Sequence, residues 1–265
     1  MCRFLIYFNP NKKPILLKNI IYDFNHSIIN QAHSECYTPG LEKNTLNADL
    51  NADGFGIGWY NTNDNKFYKY KNTQPIWNDE NLISITNNIK SNIILAHIRA
   101  NLFGLFAPVS HFNTHPFLID NFIWMHNGCI CNFLNKKQNF INLIDPLILK
   151  KINGSTDSEY CFGLFLTFYY QLNNPIDAII KLINFIKQLN LKSYLNFVVS
   201  CDNFMIVTRV GINNDNEPLS LYYNKILQIV SSEPLEKDSE DWVIVPNNKL
   251  IYIDKKNNFN FESIF

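Results

Sequence analysis

The sequence predicts an α+β fold built in layers, and three observations carry that reading. Short apolar runs rich in Ile, Val, Phe and Trp come in groups. Two clearly marked helices lie between the groups. Strand and helix do not alternate as they do in a chain of βαβ units. The strand-like runs are Phe4–Phe8, Ile93–Ala96, Phe122–Met125, Phe197–Ser200 and Met205–Thr208, with Asp202-Asn203 marking a hairpin between the last two. The first helix starts at Thr156-Asp157-Ser158-Glu159, a Thr followed three residues later by Glu, and Phe162, Phe165, Leu166 and Tyr169 then recur at helical spacing. The second follows Asn174-Pro175, and Ile176, Ile179, Ile180, Ile183 and Ile186 give it an apolar stripe. Asn-rich stretches at Asn61–Asn65, Asn87–Asn92 and Asn213–Asn216 read as turns or loops.

Composition narrows the function classes. The chain has 265 residues, 46% hydrophobic and 14% aromatic, enough to bury a sizeable core, and one large domain is the simplest division. Lys+Arg and Asp+Glu are equal at 23 each, so there is no electrostatic footprint for nucleic acid or an anionic membrane. The apolar stretch Phe4–Phe8 is too short for a signal-peptide core, and no run approaches a membrane span. Six cysteines (Cys2, Cys36, Cys129, Cys131, Cys161 and Cys201) fall short of a disulfide framework and fit a reducing cytosol. Arg occurs only at Arg3, Arg99 and Arg209 in a Lys-rich chain. Positions that keep Arg are therefore candidates for a planar, bidentate donor.

A few residues can carry chemistry. Removal of Met1 would expose the amino group of Cys2 and put a thiol and a base on one residue. Cys in second position is also common without any role. His97 and Arg99, two apart at a strand end, share one face. Arg99 could grip a carboxylate through two N–H bonds or form a structural ion pair, while His97 reads as a core histidine. Asn127 and Gly128 end a buried strand. The Asn amide and a backbone N–H could converge on one oxygen as an oxyanion hole, although Asn-Gly alone reads more simply as a hairpin turn. Asp157, at the first helical position, could bind an ammonium group, but the helix dipole alone accounts for a carboxylate there. Gly54, Gly56 and Gly58 share spacing that admits a close backbone or ligand. Cys129 and Cys131 form one Cys-x-Cys without a second pair, which argues against zinc and for core packing.

The order of these pieces, N-terminal Cys, His-x-Arg, His-Asn-Gly and Thr-Asp, resembles the glutaminase domain of class II glutamine amidotransferases. Met1–Ile6, His26–Gln31, Asp53–Gly56, Thr114–Phe117, Met125–Gly128, Gly154–Glu159, Ser232–Leu235, and Asp241-Trp242 with Val245-Pro246 look like one branch of that family. The branch holds the amidotransferase-like subunit of the fungal alternative glutathione-degradation complex and its bacterial relatives. The resemblance spans almost the whole chain and implies one glutamine amidotransferase type-2 domain over residues 2–265, folded as the four-layer αββα sandwich of N-terminal-nucleophile hydrolases. It implies Cys2 as nucleophile with its own amine as base. Arg99 would bind the substrate α-carboxylate, Asp157 the α-ammonium, and Asn127 with Gly128 the oxyanion. The implied reaction is cytoplasmic hydrolysis of a γ-glutamyl amide, with no metal or organic cofactor and with a metallopeptidase-like subunit or a synthase as protein partner. An ammonia-supplying glutaminase subunit, a non-catalytic γ-glutamyl-binding scaffold and a cysteine-based redox or metal protein are the alternatives. Many relatives carry small or hydroxyl residues just after the Arg; Asn101-Leu102-Phe103 stand there in this chain and alter the expected pocket rim.

Overall fold

The computed structural model describes residues 2–33, 51–100, 107–213, 219–236 and 240–265. The chain opens with strands β1 (Arg3–Phe8) and β2 (Ile15–Leu16) and helices α1 (Leu17–Ile21) and α2 (Ile28–Gln31). Next come β3 (Phe55–Asn61), β4 (Lys66–Asn72), α3 (Glu80–Asn88), β5 (Lys90–Ser91) and β6 (Ile93–Ile98). The middle of the chain gives β7 (Phe117–Ile119), β8 (Phe122–Ile130), α4 (Phe133–Ile141), α5 (Pro146–Leu149), α6 (Asp157–Leu172) and α7 (Pro175–Gln188). The last part is strands: β9 (Ser193–Ser200), β10 (Phe204–Arg209), β11 (Gly211–Ile212), β12 (Tyr222–Asn224), β13 (Ile229–Ser231), β14 (Trp242–Ile244), β15 (Lys249–Asp254) and β16 (Phe259–Ser263).

Two antiparallel sheets face each other. The first runs β14-β12-β13-β1-β6-β3-β4 and the second β16-β15-β10-β9-β8-β7, with β11 adding to β9. Strand alternation sorts the side chains into three cores. From β1, Phe4, Ile6 and Phe8 point between the sheets, where they join Leu95, Met125, Val198 and Ile251. Leu5 and Tyr7 of β1 point the other way, onto Leu17, Ile21, Ile28 and Leu82 of α1, α2 and α3. On the far side of the second sheet, Trp124, Phe197 and Ile206 pack on Phe162, Phe165 and Ile183 of α6 and α7. Each of these fully buried side chains contributes about 1.5–3 kcal/mol of transfer free energy. Helices thus cover the outer face of each sheet, and the molecule is the αββα sandwich that the resemblance implied.

The two expected helices form where their caps lie. Thr156 Oγ1 accepts the Glu159 N–H at 3.2 Å, and Asn174 Oδ1 accepts from Ile176 and Asp177 at 2.9 and 3.3 Å. The Glu159 carboxylate does not close a capping box on Thr156. It reaches further back to the N–H groups of Asn153 and Gly154, at 3.1 and 2.6 Å. The hairpin at Asp202-Asn203 also forms, closed by the Cys201 N–H on the Phe204 carbonyl at 3.1 Å.

Other expectations are corrected. The strand expected over Ile93–Ala96 continues to Ile98, and that over Phe122–Met125 continues to Ile130. Asn127-Gly128 is therefore inside a strand and not in a turn. Asn87–Asn92 is not a loop: α3 runs through Asn88 and β5 takes Lys90–Ser91. The Asn-rich composition has a local use. Among the described residues, seven of the nine non-glycine positions with positive φ are Asn, including Asn65, Asn132, Asn173 and Asn190. Asn tolerates that conformation best after glycine, so a chain with nine glycines can still turn often. Asn214–Asn216 and Cys36 lie outside the described residues.

Candidate active site

Cys2 lies at the start of β1, beside the C-terminal end of β6. The register pairs Arg3 with Ile98, which carries Cys2 to the Arg99-Ala100 segment. The Ala100 N–H donates to Cys2 Sγ at 3.3 Å, and Sγ lies 3.5 Å from the Ala100 carbonyl. The thiol is half-buried with a fixed side-chain direction. Arg99 is buried and directly follows the last residue of β6. Its Nη1 donates to the Pro108 carbonyl at 3.4 Å and its Nη2 to the Ala107 carbonyl. A guanidinium has five N–H donors, so these two bonds aim the fork without exhausting it. Burial lowers the Arg99 pKa from its ordinary value, while Cys2 and Asp53 work against that fall. His97, two residues earlier, is buried as a core histidine. Its Nε2 donates to the His126 carbonyl at 3.1 Å, and its ring lies 4.2 Å from that of His115.

Asn127 and Gly128 face this corner from the second sheet, in register with Asn196 and Leu195 of β9. Asn127 shares the inward face with Ile123 and Met125. Its Nδ2 donates to Ser232 Oγ at 3.4 Å, and its buried Oδ1 has no partner among the described residues. Gly128 has φ +154°, and a Cβ there would meet the Tyr194 carbonyl oxygen at 2.0 Å, so only glycine fits. The neighbouring His126 points to the helical side. Its Nε2 lies 2.9 Å from the Tyr194 carbonyl and its Nδ1 2.9 Å from Ser158 Oγ. A carbonyl only accepts, so Nε2 carries the proton and Nδ1 accepts from the Ser158 hydroxyl.

Asp157 opens α6 at the end of β8. Its Oδ2 accepts the Ile130 N–H at 2.7 Å, and its Oδ1 accepts from the Ser158 N–H at 2.7 Å, with Ser158 Oγ at 3.2 Å. A carboxylate offers about four lone-pair sites, so room remains for one cationic donor. Cys129 and Cys131 are half-buried at this rim, not packed in the core as expected. The Cys131 thiol is drawn down to about 6, first by its hydrogen bond with Cys129 and then by Lys192. The same contact, and then burial, push Cys129 up. The Gly56 and Gly58 spacing admits protein, not ligand. Added Cβ atoms would lie 2.1 Å from the His115 carbonyl oxygen and 2.2 Å from Ile123 Cδ1. Among the described residues, no group of three or more His, Cys, Asp or Glu could hold a metal ion. No described helix is long and apolar enough to cross a membrane. Asn101-Leu102-Phe103, the expected rim, lies outside the described residues.

The candidate positions therefore lie at neighbouring element ends: Cys2 beside the Arg99-Ala100 segment, Asn127 joined to β1 through Ser232, and Asp157 on the Ile130 N–H two residues after Gly128. The structure adds residues that carry no assigned role in the sequence reading. Glu233 is fully buried and accepts from Arg3 Nε at 2.7 Å and His26 Nε2 at 2.8 Å. Arg3 Nη1 donates to the Cys2 carbonyl at 3.3 Å. Ser232 Oγ accepts the Phe4 N–H at 3.0 Å. The signal was present in the motifs around Arg3, His26 and Ser232-Glu233, which prove to touch one another. The scarcity of Arg was informative too: Arg209 is also buried, donating to the carbonyls of Leu219 and Val245 at 3.1 and 2.7 Å.

A four-layer αββα sandwich with a cysteine opening its central strand defines the class of fold: that of the N-terminal-nucleophile hydrolases. Residues 29–214 match the family Glutamine amidotransferases class-II, and the chain belongs to that family. It is 30% identical to the probable glutamine amidotransferase DUG3 of Saccharomyces cerevisiae, over 97% of this chain and 82% of that protein. It is 22% identical to the gamma-glutamyl-hercynylcysteine sulfoxide hydrolase of Mycolicibacterium smegmatis, over 95% of each. Among solved structures, it superposes on a glutamine aminotransferase class-II domain protein from Silicibacter pomeroyi with a TM-score of 0.68. That match has 19% identity and covers 99% of both chains. It also superposes on the glutamine phosphoribosylpyrophosphate amidotransferase of B. subtilis with a TM-score of 0.63 and 16% identity, covering 100% of this chain and 49% of that one.

Proposed function

We propose that the protein hydrolyses γ-glutamyl amide bonds through a γ-glutamyl thioester on Cys2, within a single domain spanning residues 2–265. The observation that carries this reading is that a thiol, a partly engaged guanidinium, an Asn amide and a helix-borne carboxylate lie on adjoining ends of β1, β6, β8 and α6. Loss of Met1 frees the Cys2 amine, whose ordinary pKa of about 7.7–8.0 lets it accept the thiol proton near neutral pH. Arg99 holds the α-carboxylate of the γ-glutamyl group and Asp157 its α-ammonium. Cys2 Sγ attacks the γ-carbonyl carbon. The carbonyl electrons move to oxygen, where Asn127 Nδ2 and the Gly128 N–H receive the charge. The C–N bond breaks as the Cys2 ammonium returns its proton to the leaving amine. Water, deprotonated by the same amine, then cleaves the thioester and releases glutamate.

These groups read only the γ-glutamyl half, so the leaving amine is chosen by other surfaces. The resemblance of the sequence motifs to the glutathione-degrading branch supports glutathione as the substrate, cleaved to glutamate and cysteinylglycine in the cytoplasm with a metallopeptidase-like partner. The likeness to a probable glutamine amidotransferase of yeast supports a second reading, transfer of ammonia from glutamine to a synthase. The test is glutamate release from glutathione and from glutamine by the chain purified with its native partners. Intact mass is expected to show loss of one Met. A glutamine-like electrophile is expected to label Cys2 and none of the other five thiols. Active protein that retains Met1 rejects the mechanism. Glutamine hydrolysis stimulated by a synthase acceptor, without cleavage of glutathione, selects the second reading.

A further inference from the structure

The end of β13 is where the strand bearing Cys2 and the strand bearing Asn127 are tied together. Leu5 pairs with Ser231 in the ladder, and one residue on the Ser232 N–H donates to the Phe4 carbonyl at 3.0 Å. The Ser232 hydroxyl oxygen then accepts two donors from different sheets, the Phe4 N–H of β1 at 3.0 Å and Asn127 Nδ2 of β8 at 3.4 Å. Next to it, Glu233 holds Arg3, and Arg3 holds the Cys2 carbonyl. All of these side chains are almost completely buried.

A buried carboxylate set among two basic side chains is a poor source of stability, because desolvation offsets much of the attraction, but such a pair can fix register. The hydroxyl likewise adds little apolar packing. Its geometric effect is larger. The Asn127 Nδ2 group has two N–H bonds, and spending one on Ser232 fixes the amide plane and the direction of the other. We propose that Ser232 and Glu233 are positioning residues that set the oxyanion donor and the nucleophile in one frame. Ser232 acts through Asn127, and Glu233 acts through Arg3 on the backbone of Cys2. This rests on the roles given above to Cys2 and Asn127.

The two arms make different predictions in a mutant cycle on the mature protein. Ser232→Ala should lower kcat for γ-glutamyl amide hydrolysis by about 10- to 100-fold, less than full loss of an oxyanion donor, and leave KM within about twofold. Ser232→Thr, which keeps a hydroxyl, should restore most of the rate. The double variant Ser232→Ala with Asn127→Ala should be no slower than Asn127→Ala alone, because the first residue acts through the second. Glu233→Gln should instead multiply with Asn127→Ala, since it acts on Cys2. Multiplicative effects of Ser232→Ala and Asn127→Ala, or a change confined to KM, would overturn the proposal. Wild-type protein that releases no glutamate from any γ-glutamyl amide would reject the proposed function on its own. The tether is then decided by hydrogen exchange at the Phe4 amide: Ser232→Ala should lower its protection and Ser232→Thr preserve it, and unchanged protection in Ser232→Ala overturns the tether.

Discussion

The two halves of β8 obey opposite rules, although they belong to one strand. Its first half places Ile123 and Met125 between the sheets and Trp124 among Phe162, Phe165 and Phe197, with ring centroids 5.5, 5.8 and 4.7 Å from the indole. Its second half carries His126, Asn127 and Gly128, all polar or bare, yet stays in register with β9 through Ile130. The first half is held by apolar burial. The second is held by the ladder and by hydrogen bonds to Ser158, Tyr194 and Ser232. A strand anchored at one end by packing can present polar groups at the other with little freedom left. Precise positioning of donors depends on that rigidity.

The largest effect that separates the halves is expected from truncating the packed one. Trp124→Ala removes a fully buried indole from an aromatic cluster and should cost about 3–5 kcal/mol of stability, read by chemical denaturation. Because Cys2 and Arg99 belong to the other sheet, the folded fraction should keep the wild-type KM. A fall in KM-level affinity at full folding would show that packing and site are not separable along β8.

At the site end the effect should be kinetic and not thermodynamic. Arg99→Lys keeps a charge but loses the planar fork that the carbonyls of Ala107 and Pro108 orient. The loss expected in kcat/KM for a γ-glutamyl substrate corresponds to roughly 1–3 kcal/mol, the range for charge-assisted hydrogen bonds. Asp157→Asn should weaken recognition of the ammonium comparably. If both variants leave kcat/KM unchanged, these residues only support the fold.

The same contrast explains what could be read in advance. The apolar half of β8 and the stripes of α6 and α7 were legible because burial leaves a period in the sequence. The polar half was not: Asn127-Gly128 carries a turn signal, and only the pairing with Asn196 and Leu195 overrides it. Cys2, Arg99, Asn127, Gly128 and Asp157 could be nominated as residue types able to do chemistry. Ser232, Glu233 and His26 could not be given roles, because their meaning lies in contacts across more than 200 residues of chain. The hydrogen-bonded Ser158 was hidden for the opposite reason, as one more polar residue in a first helical turn.

Three buried imidazoles, His97 against His115 and His126 on the helical side of β8, make the molecule sensitive to acid. Burial draws His97 down to about 3 and also lowers His115 and His126. An unfolded chain would bind protons at these histidines near the ordinary value of about 6.5. Their contribution to stability is therefore complete above about pH 6.5 and is lost as pH falls below it, for His97 by about 1.4 kcal/mol per pH unit down toward 3. Neither ring nitrogen of His115 has a partner among the described residues, and the ring meets Phe117 edge-on, with centroids 4.6 Å apart. His115→Phe should thus flatten the fall in stability between pH 6 and pH 4, measured by urea midpoints, with little change near pH 8. An unaltered slope would mean that other groups govern the acid limb.

The smallest expected effect compares two helix caps. Thr156 caps α6 at the site, and Asn174 caps α7 away from it. Each side chain satisfies backbone donors that water would otherwise have to reach, so Thr156→Ala and Asn174→Ala should each cost about 1 kcal/mol of stability. Their kinetic consequences should differ. Asp157 is the first residue of α6, and its carboxylate is aimed by bonds to the N–H groups of Ile130 and Ser158. Loosening the Thr156 cap frees that first turn, whereas loosening the Asn174 cap moves nothing that faces the cleft. Small displacements of a positioning group weigh heavily on rate, so Thr156→Ala should lower kcat/KM roughly 3-fold or more while Asn174→Ala leaves it at the wild-type value. Thermal melts establish that the stability costs match, and initial rates on one γ-glutamyl substrate then read the difference. Equal kinetics in the two variants would show that the helix start does not position the carboxylate, and that the bond from Ile130 holds it in place alone.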